Sequence, residues 1–172
     1  ADQLADKPGE PSPLAETVER LAPIADALAA AHGKSVVHGD LHPRQIVLAN
    51  GGARLRGFGF APMVSATRPS ATHARRGYAS PELAAGEAPT KASDAYAFAA
   101  IAHHCLTGRA PLGCPAAPST LAAGLDARVD ALLADGLSPD PAGRPSPKAF
   151  HEALAAIVAS PEAAAPSAIV DA

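Results

Sequence analysis

The sequence predicts a mainly α-helical domain with one small β-hairpin. Apolar residues recur at helical spacing over residues 14–28, which is the pattern of a helix with one buried face. A longer apolar run covers residues 95–106 and follows Ser93, a residue type that favours the N-cap of a helix. Short aliphatic segments flank Asn50-Gly51, and Asn-Gly accepts the positive φ angles that a hairpin turn requires.

Stop signals set the expected ends of the two long helices. Gly33 is expected to end the first helix. Pro23 predicts a kink or a break inside that helix, because proline has no backbone N–H. Gly108 is expected to end the second helix after Thr107.

The rest of the chain predicts one loop and two further helices. Residues 109–119 contain three prolines and are expected to form a loop. Helices are expected near residues 126–135 and 146–159, and Ser146 is a suitable cap for the second of them.

The length of 172 residues suits one domain with a single core. Residues 1–13 are expected to be a linker or the end of a preceding helix. Residues 14–160 then form the domain, and residues 161–172 form an Ala/Pro-rich tail. Because aromatic residues make up only 3% of the chain, Ala, Leu and Val must fill the core.

Composition argues against several classes of partner. A net charge of −3 without a basic patch gives no electrostatic footprint for nucleic acid. No apolar run is long enough for a membrane span, and no signal peptide is recognisable. Cys105 and Cys114 suit a reducing compartment. We therefore expect a cytoplasmic location, either alone or as the cytoplasmic part of a larger membrane-associated protein.

Six short motifs resemble those of one enzyme family. Residues 38–48 read H-G-D-L-H-P-R-Q-I-V-L and resemble the catalytic loop of protein kinases, H-R-D-L-K-P-x-N-I-L-L. Gly57-Phe58-Gly59 follows after eight intervening residues, where the family has D-F-G. The other four motifs keep the family's order: Tyr78-Ala79-Ser80-Pro81-Glu82 resembles Y-M-A-P-E, Ser93-Asp94-Ala95-Tyr96 resembles S-D-V-Y, Leu106-Thr107-Gly108-Arg109-Ala110-Pro111 resembles L-T-G-R-x-P, and Asp140-Pro141-Ala142-Gly143-Arg144-Pro145 resembles D-P-x-x-R-P.

The resemblance covers residues 14 to about 158 and concerns the large, C-terminal lobe of Ser/Thr protein kinases. It implies a mainly α fold with a small β-hairpin. The small N-terminal lobe is expected to be absent from this chain, since no G-x-G-x-x-G motif occurs. The bias toward Ala, Pro and Gly is typical of a high-GC bacterial gene.

The positions that carry phosphoryl transfer in the family are altered. Asp40 stands where the family's Asp orients the substrate hydroxyl, and His42 replaces a phosphate-contacting Lys. Gln45 replaces the Asn that ligates Mg²⁺, and Gly57 replaces the Asp of D-F-G. Because Mg²⁺ requires near-ideal geometry, we expect these four residues to be vestigial and no metal site to exist. The interpretation is a pseudokinase that is not an enzyme, with ATP and Mg²⁺ binding weak or absent.

The positions that hold the family's scaffold are kept. The resemblance implies a buried ion pair between Glu82 and Arg144. It implies hydrogen bonds from the catalytic-loop backbone to Asp94. It also places His38 and Phe58 in an apolar stack on the central helix.

A long polar segment is expected to form an exposed loop over residues 60–76. In it Arg75 stands where the family usually has a Thr, and Gly39 replaces the Arg that receives a loop phosphate in the family. The loop hydroxyls are candidate phosphorylation sites, although exposed hydroxyls commonly serve only solubility: Ser65, Thr67, Ser70 and Thr72.

Three alternatives compete with parts of this interpretation. The H-G-D-L-H-P segment also resembles the loop of small-molecule kinases, but those have a loop Asn and a downstream metal Asp that Gln45 and Gly57 do not supply. A histidine metal site is not favoured, because adjacent His103 and His104 cannot face one site on a helix. Cys105 fits a buried apolar role better than a reactive one.

Two hypotheses about function follow. In the first, the lobe is a regulatory module and scaffold in signalling. It binds a protein partner, either an active Ser/Thr kinase or a phosphothreonine-binding protein. In the second, it is a weak, atypical Ser/Thr kinase that becomes active when joined to a small lobe.

Overall fold

The computed structural model describes residues 2–3, 10–49, 52–58, 77–113, 115–122 and 124–160. The elements in chain order are strand β1 (Asp2–Gln3), helix α1 (Leu14–Gly33), strands β2 (Ile46–Ala49) and β3 (Gly52–Leu55), and helices α2 (Pro81–Ala84), α3 (Lys91–Thr107), α4 (Pro118–Leu121), α5 (Ala127–Gly136) and α6 (Pro147–Ala159). Single 3₁₀ turns cover Pro43–Gln45 and Pro141–Gly143.

Helix α3 is the centre of the domain and is buried on almost every side. Thirteen of its residues are buried, which is typical of a core helix that neighbours surround. Many of them are alanines, so α1, α5 and α6 can pack close to its backbone. The Phe98 ring meets the Phe150 ring of α6 edge to face, with centroids 5.8 Å apart.

The start of α3 differs from the prediction by three residues. Thr90, not Ser93, is the N-cap, and its side chain accepts a hydrogen bond from the Ser93 N–H at 3.1 Å. The Ser93 hydroxyl oxygen accepts one from the Thr90 N–H at 2.9 Å, which completes a capping box. The predicted end is confirmed, since Gly108 follows Thr107 with a left-handed φ of 69°.

Helix α1 runs without interruption through Pro23 to Gly33, so the predicted break is wrong. A proline inside a helix costs about 3 kcal/mol relative to alanine, and packing offsets that cost here. Leu21 and Ile24, on either side of the proline, are completely buried.

The three strands form one antiparallel sheet in the order β1-β2-β3. The predicted hairpin is confirmed, with Ile46 opposite Leu55 and Val47 opposite Arg54. Asp2–Gln3 is a strand paired with β2, so the expected end of a helix is wrong for these two residues. Main-chain pairing with β2 determines their conformation.

The helices of the C-terminal part agree with the prediction to within about one residue. Asp126 caps α5, and Ser146 caps α6 by accepting a hydrogen bond from the Ala149 N–H. The short helix α4 lies partly inside the expected loop and begins at Pro118, a residue type suited to the first helical position. Among the described residues, no helix combines the length and the apolarity needed to cross a lipid bilayer.

A buried ion pair joins α2 to the segment before α6. Arg144 Nη1 lies 2.6 Å from Glu82 Oε1, and Arg144 Nη2 lies 2.9 Å from Glu82 Oε2. The Arg144 side chain is fully buried, and the Glu82 side chain is 10% exposed. The guanidinium also donates to three backbone carbonyl oxygens and lies 5.1 Å from the centroid of the Tyr96 ring: those carbonyls belong to Ala92, Ser138 and Pro139.

This ion pair makes part of the stability depend on pH. Hydrogen bonding to Arg144 lowers the pKa of the Glu82 carboxyl. Because the folded pKa lies below that of the unfolded chain, the pair stabilises the fold above the ordinary glutamate pKa of about 4.3. That contribution is lost as the pH falls through the lowered pKa.

We predict that Arg144→Ala lowers the free energy of unfolding by about 3–5 kcal/mol, because it leaves Glu82 buried without its partner. The matched control is Lys148→Ala, which breaks an ion pair of 2.6 Å whose side chains are 45% and 63% exposed. Lys148→Ala should change the free energy of unfolding by close to zero, because water screens this exposed pair. Urea denaturation measures both, and equal losses in the two variants would contradict the prediction.

Candidate functional site

The buried carboxylate of Asp94, in the first turn of α3, anchors the candidate catalytic loop. Its Oδ2 accepts a hydrogen bond from the His38 N–H at 2.8 Å, and its Oδ1 accepts one from the Gly39 N–H at 2.8 Å. The residue is only 1% exposed. An acidic side chain is favourable at this end of a helix because it faces the positive end of the helix dipole.

His32 completes this anchor and was missed by the sequence analysis. Its Nε2 lies 2.8 Å from Asp94 Oδ2. In the sequence, a histidine in the last turn of α1 suggests only an interaction with the helix dipole. The contact spans 62 residues and depends on the packing of α1 against α3.

His38 joins the loop to the end of β3. The Asp40 N–H points at His38 Nδ1 at 3.3 Å, so Nε2 carries the ring hydrogen and donates to the Arg56 carbonyl at 2.9 Å. The buried ring packs edge-on against Phe58, with centroids 4.9 Å apart. The two residues implied to stack in the family are therefore in contact with each other here.

Asp40 and His42 lie together on the anchored loop. Asp40 Oδ2 is 4.0 Å from His42 Nε2, and the two side chains are 13% and 9% exposed. The Asp40 backbone is held by its contact with His38, so the position of its carboxylate follows from the same anchor. A carboxylate in such a place can accept the proton of a hydroxyl group.

Gln45 and Gly57 meet where the resemblance implies two Mg²⁺ ligands. A Cβ on Gly57 would lie 2.8 Å from Gln45 Oε1 and 2.9 Å from its Cδ, so the carboxamide fills the space that a side chain at position 57 would enter. Among the residues that the structure describes, no group of three or more His, Cys, Asp or Glu side chains is placed to hold a metal ion. These residues do not fit the family's Mg²⁺ site.

Tyr78, which follows the polar segment in the sequence, is fixed to α3. The Tyr78 hydroxyl hydrogen-bonds to His104 Nδ1, and the two rings stack with centroids 6.0 Å apart. Burial raises the pKa of Tyr78 and lowers the pKa of His104. The candidate phosphorylation sites Ser65, Thr67, Ser70 and Thr72, and also Arg75, lie outside the described residues.

Cys105 is buried in the core, 5% exposed. Burial raises the pKa of its thiol to about 11, which disfavours the reactive thiolate. The apolar role predicted for it is confirmed, whereas Cys114 lies outside the described residues.

A sequence model described as the protein kinase domain matches residues 9–154. The chain belongs to the protein kinase family. The fold agrees with that of the kinase domain of Mycobacterium tuberculosis PknI, with a TM-score of 0.68 and 32% identity. The match covers 89% of this chain and 59% of that domain. A mutant form of the same domain gives a TM-score of 0.72 at 30% identity. The partial coverage and the predominance of helices identify this chain as the large lobe.

Curated relatives of the kinase lobe are bacterial. Serine/threonine-protein kinase PkaA of Streptomyces coelicolor is 38% identical over 99 residues, covering 54% of this chain and 18% of that protein. Serine/threonine-protein kinase PknH of Mycobacterium bovis is 30% identical over 154 residues, covering 76% of this chain and 26% of that protein. The matches thus span only about a fifth to a quarter of the length of these relatives.

The prediction that this is not an enzyme is wrong. The relatives that match the kinase lobe are named as serine/threonine-protein kinases. Altered residues within single motifs do not decide the class of the protein, and the match over residues 9–154 assigns the chain to a family of enzymes.

We predict that Asp94→Asn lowers the free energy of unfolding by about 1.5–3 kcal/mol, the value of a hydrogen bond to a charged group. It should also speed hydrogen exchange of the His38 and Gly39 amides, which lose a charged acceptor. Asp135→Asn on the exposed surface of α5 is the control with the same change of charge. Unchanged exchange at both amides in Asp94→Asn would contradict the anchor.

We also predict the effect of adding a side chain at Gly57. Its φ is 93°, and that of Gly86 is 91°, but only Gly57 has a side chain within 4 Å of the added Cβ. Each Gly→Ala change should cost about 1–2 kcal/mol from backbone strain, since the flexible end of Gln45 can move aside. Only Gly57→Ala should shift the NMR signals of the Gln45 side-chain amide. A shift of equal size in Gly86→Ala would show that Gln45 does not lie over residue 57.

Proposed function

We propose that this chain is the large lobe of a Ser/Thr protein kinase, in which Asp40 receives the proton of the accepting hydroxyl. The observation that carries the proposal is the loop that holds Asp40, fixed by the buried Asp94 carboxylate at two backbone amides. Positioning is the main contribution that a protein makes to phosphoryl transfer. Relatives named as serine/threonine-protein kinases support the choice of substrate.

The proposed step transfers one phosphoryl group. The Ser or Thr hydroxyl oxygen of a protein substrate forms a bond to the γ-phosphorus of ATP. The bond from that phosphorus to the β,γ-bridging oxygen breaks, and ADP leaves. The hydroxyl proton passes to the Asp40 carboxylate and from there to solvent. His42 Nε2 lies 4.0 Å from Asp40 Oδ2, and when protonated this ring would add positive charge beside the reacting groups.

A regulatory role is a second candidate function. The Gln45 carboxamide beside Gly57 alters the nucleotide side of the lobe, whereas the scaffold around Glu82 and Asp94 is intact. This contrast favours a lobe that also binds a protein of the signalling machinery, such as an active Ser/Thr kinase or a phosphothreonine-binding protein. A cytoplasmic location suits both candidate functions.

The decisive experiment measures transfer of radiolabelled phosphate from ATP to a Ser/Thr-containing protein by the complete natural protein. We predict that Asp40→Asn lowers the rate by about 10²–10⁴-fold, the usual contribution of a general base. Asp135→Asn is the control and should leave the rate unchanged. No transfer by the unmodified protein, or equal transfer by Asp40→Asn, would overturn the kinase proposal.

The same variants distinguish the regulatory role from the catalytic role. A regulatory lobe would change the rate of an active Ser/Thr kinase from the same organism, and Asp40→Asn would preserve that change. If neither form affects the partner kinase, the regulatory role is excluded.

A further inference from the structure

The Asp94 carboxylate is held by a side chain of α1 as well as by two backbone amides of the catalytic loop. His32 Nε2 lies 2.8 Å from Asp94 Oδ2, the oxygen that also accepts the His38 N–H. The other oxygen, Oδ1, accepts the Gly39 N–H. A carboxylate only accepts hydrogen bonds, so His32 Nε2 carries the ring hydrogen and donates it.

The contact with His32 determines which way this carboxylate faces. The terminal torsion of an aspartate side chain has a broad energy profile, so the two backbone amides alone hold the group less firmly. The ring at the end of α1 holds Oδ2 from a third direction. The His32 side chain is only 11% exposed, which leaves little room for water to take its place.

The turn between His32 and the loop carries backbone strain. Ser35 has a left-handed φ of 58°, and in the part of the chain that the structure describes it is the only residue besides glycines with a positive φ. Its N–H donates to the His32 carbonyl at 3.1 Å. A strained conformation persists where its surroundings hold both sides of it. Here α1 holds one side through His32, and Asp94 holds the other side through the His38 amide.

His32 therefore acts on the catalytic loop by two routes. Its side chain fixes the Asp94 carboxylate, and its carbonyl fixes the turn that leads into the loop. The Asp40 N–H points at His38 Nδ1 at 3.3 Å, so the backbone of Asp40 follows that of His38. A displacement of His32 is thus passed on to Asp40.

We propose that His32 is a positioning residue for phosphoryl transfer, which places the Asp40 carboxylate by holding Asp94. The inference rests on the proposed function, because it concerns the same Asp40. A misplacement of about 1 Å can lower the rate of a reaction by about 10²-fold. Loss of the contact should therefore lower kcat. It should leave KM for ATP and for the protein substrate unchanged, because the contact orients a reacting group and binds neither substrate.

The test measures kcat and KM for transfer of radiolabelled phosphate by the complete natural protein. His32→Leu removes the donor and should lower kcat by about tenfold to 10²-fold. His32→Gln keeps an N–H donor at about the same distance from the backbone and should restore most of the lost kcat. The matched control is His151→Leu, which removes another half-buried histidine, whose Nε2 lies 3.0 Å from the Val18 carbonyl oxygen. His151→Leu should leave kcat unchanged.

Three results would overturn the proposal. The first is an unchanged kcat in His32→Leu, and the second is a loss in His32→Gln as large as that in His32→Leu. The third is an equal loss in His151→Leu, which would show that removal of any half-buried histidine has this effect.

A second readout does not require catalysis. Hydrogen exchange of the His38 and Gly39 amides should be faster in His32→Leu, but not in His32→Gln or His151→Leu. No phosphate transfer together with this faster exchange would remove the proposed catalysis and keep His32 as the residue that positions the loop. Asp40-dependent transfer with unchanged exchange in His32→Leu would remove the role of His32 and keep the catalysis.

Discussion

The arrangement of the candidate site depends on one buried carboxylate, that of Asp94. It satisfies two backbone N–H groups of the catalytic loop and also contacts His32 at the end of α1. Buried backbone donors are costly when they have no acceptor, so the loop takes the conformation that brings them to Asp94. The central helix supplies this acceptor at its positive end. The position of Asp40 is therefore a consequence of how α1 and the loop dock on α3.

The scaffold and the surroundings of Gly57 have different physical characters. Contacts that hold the lobe together use buried, fully paired charges, as in the Glu82–Arg144 pair. Next to Gly57 lies instead the neutral carboxamide of Gln45. The charged contacts that hold the lobe together are therefore separate from the two positions that differ from the family's Mg²⁺ ligands.

Much of the fold was predictable because local signals agree with tertiary packing. Asp126 and Ser146 precede apolar helical patterns, and the hairpin has a turn sequence between two aliphatic segments. The family resemblance paired Glu82 with Arg144 across 62 residues, and the two are in contact. The helix caps, the hairpin turn and the ion pair each depend on residue types that suit few other positions in a fold.

The remaining features depend on contacts that a linear pattern does not contain. Thr90 and Ser93 are both suitable N-cap residues, and a capping box uses both of them. The sequence alone therefore does not show which of the two is the N-cap of α3. β1 is two residues long and has no periodicity of its own. His32 looks like an ordinary charge at a helix end until the packing of α1 against α3 brings it to Asp94.

The anchoring of the loop by Asp94 determines where the Asp40 carboxylate lies. The most direct measurement is ¹³C NMR of the Asp40 side-chain carboxyl group in the unmodified protein and in Asp94→Asn. We predict that Asp94→Asn shifts this signal and that Asp135→Asn leaves it unchanged. An Asp40 carboxyl signal that is the same in Asp94→Asn and in the unmodified protein would contradict the anchor.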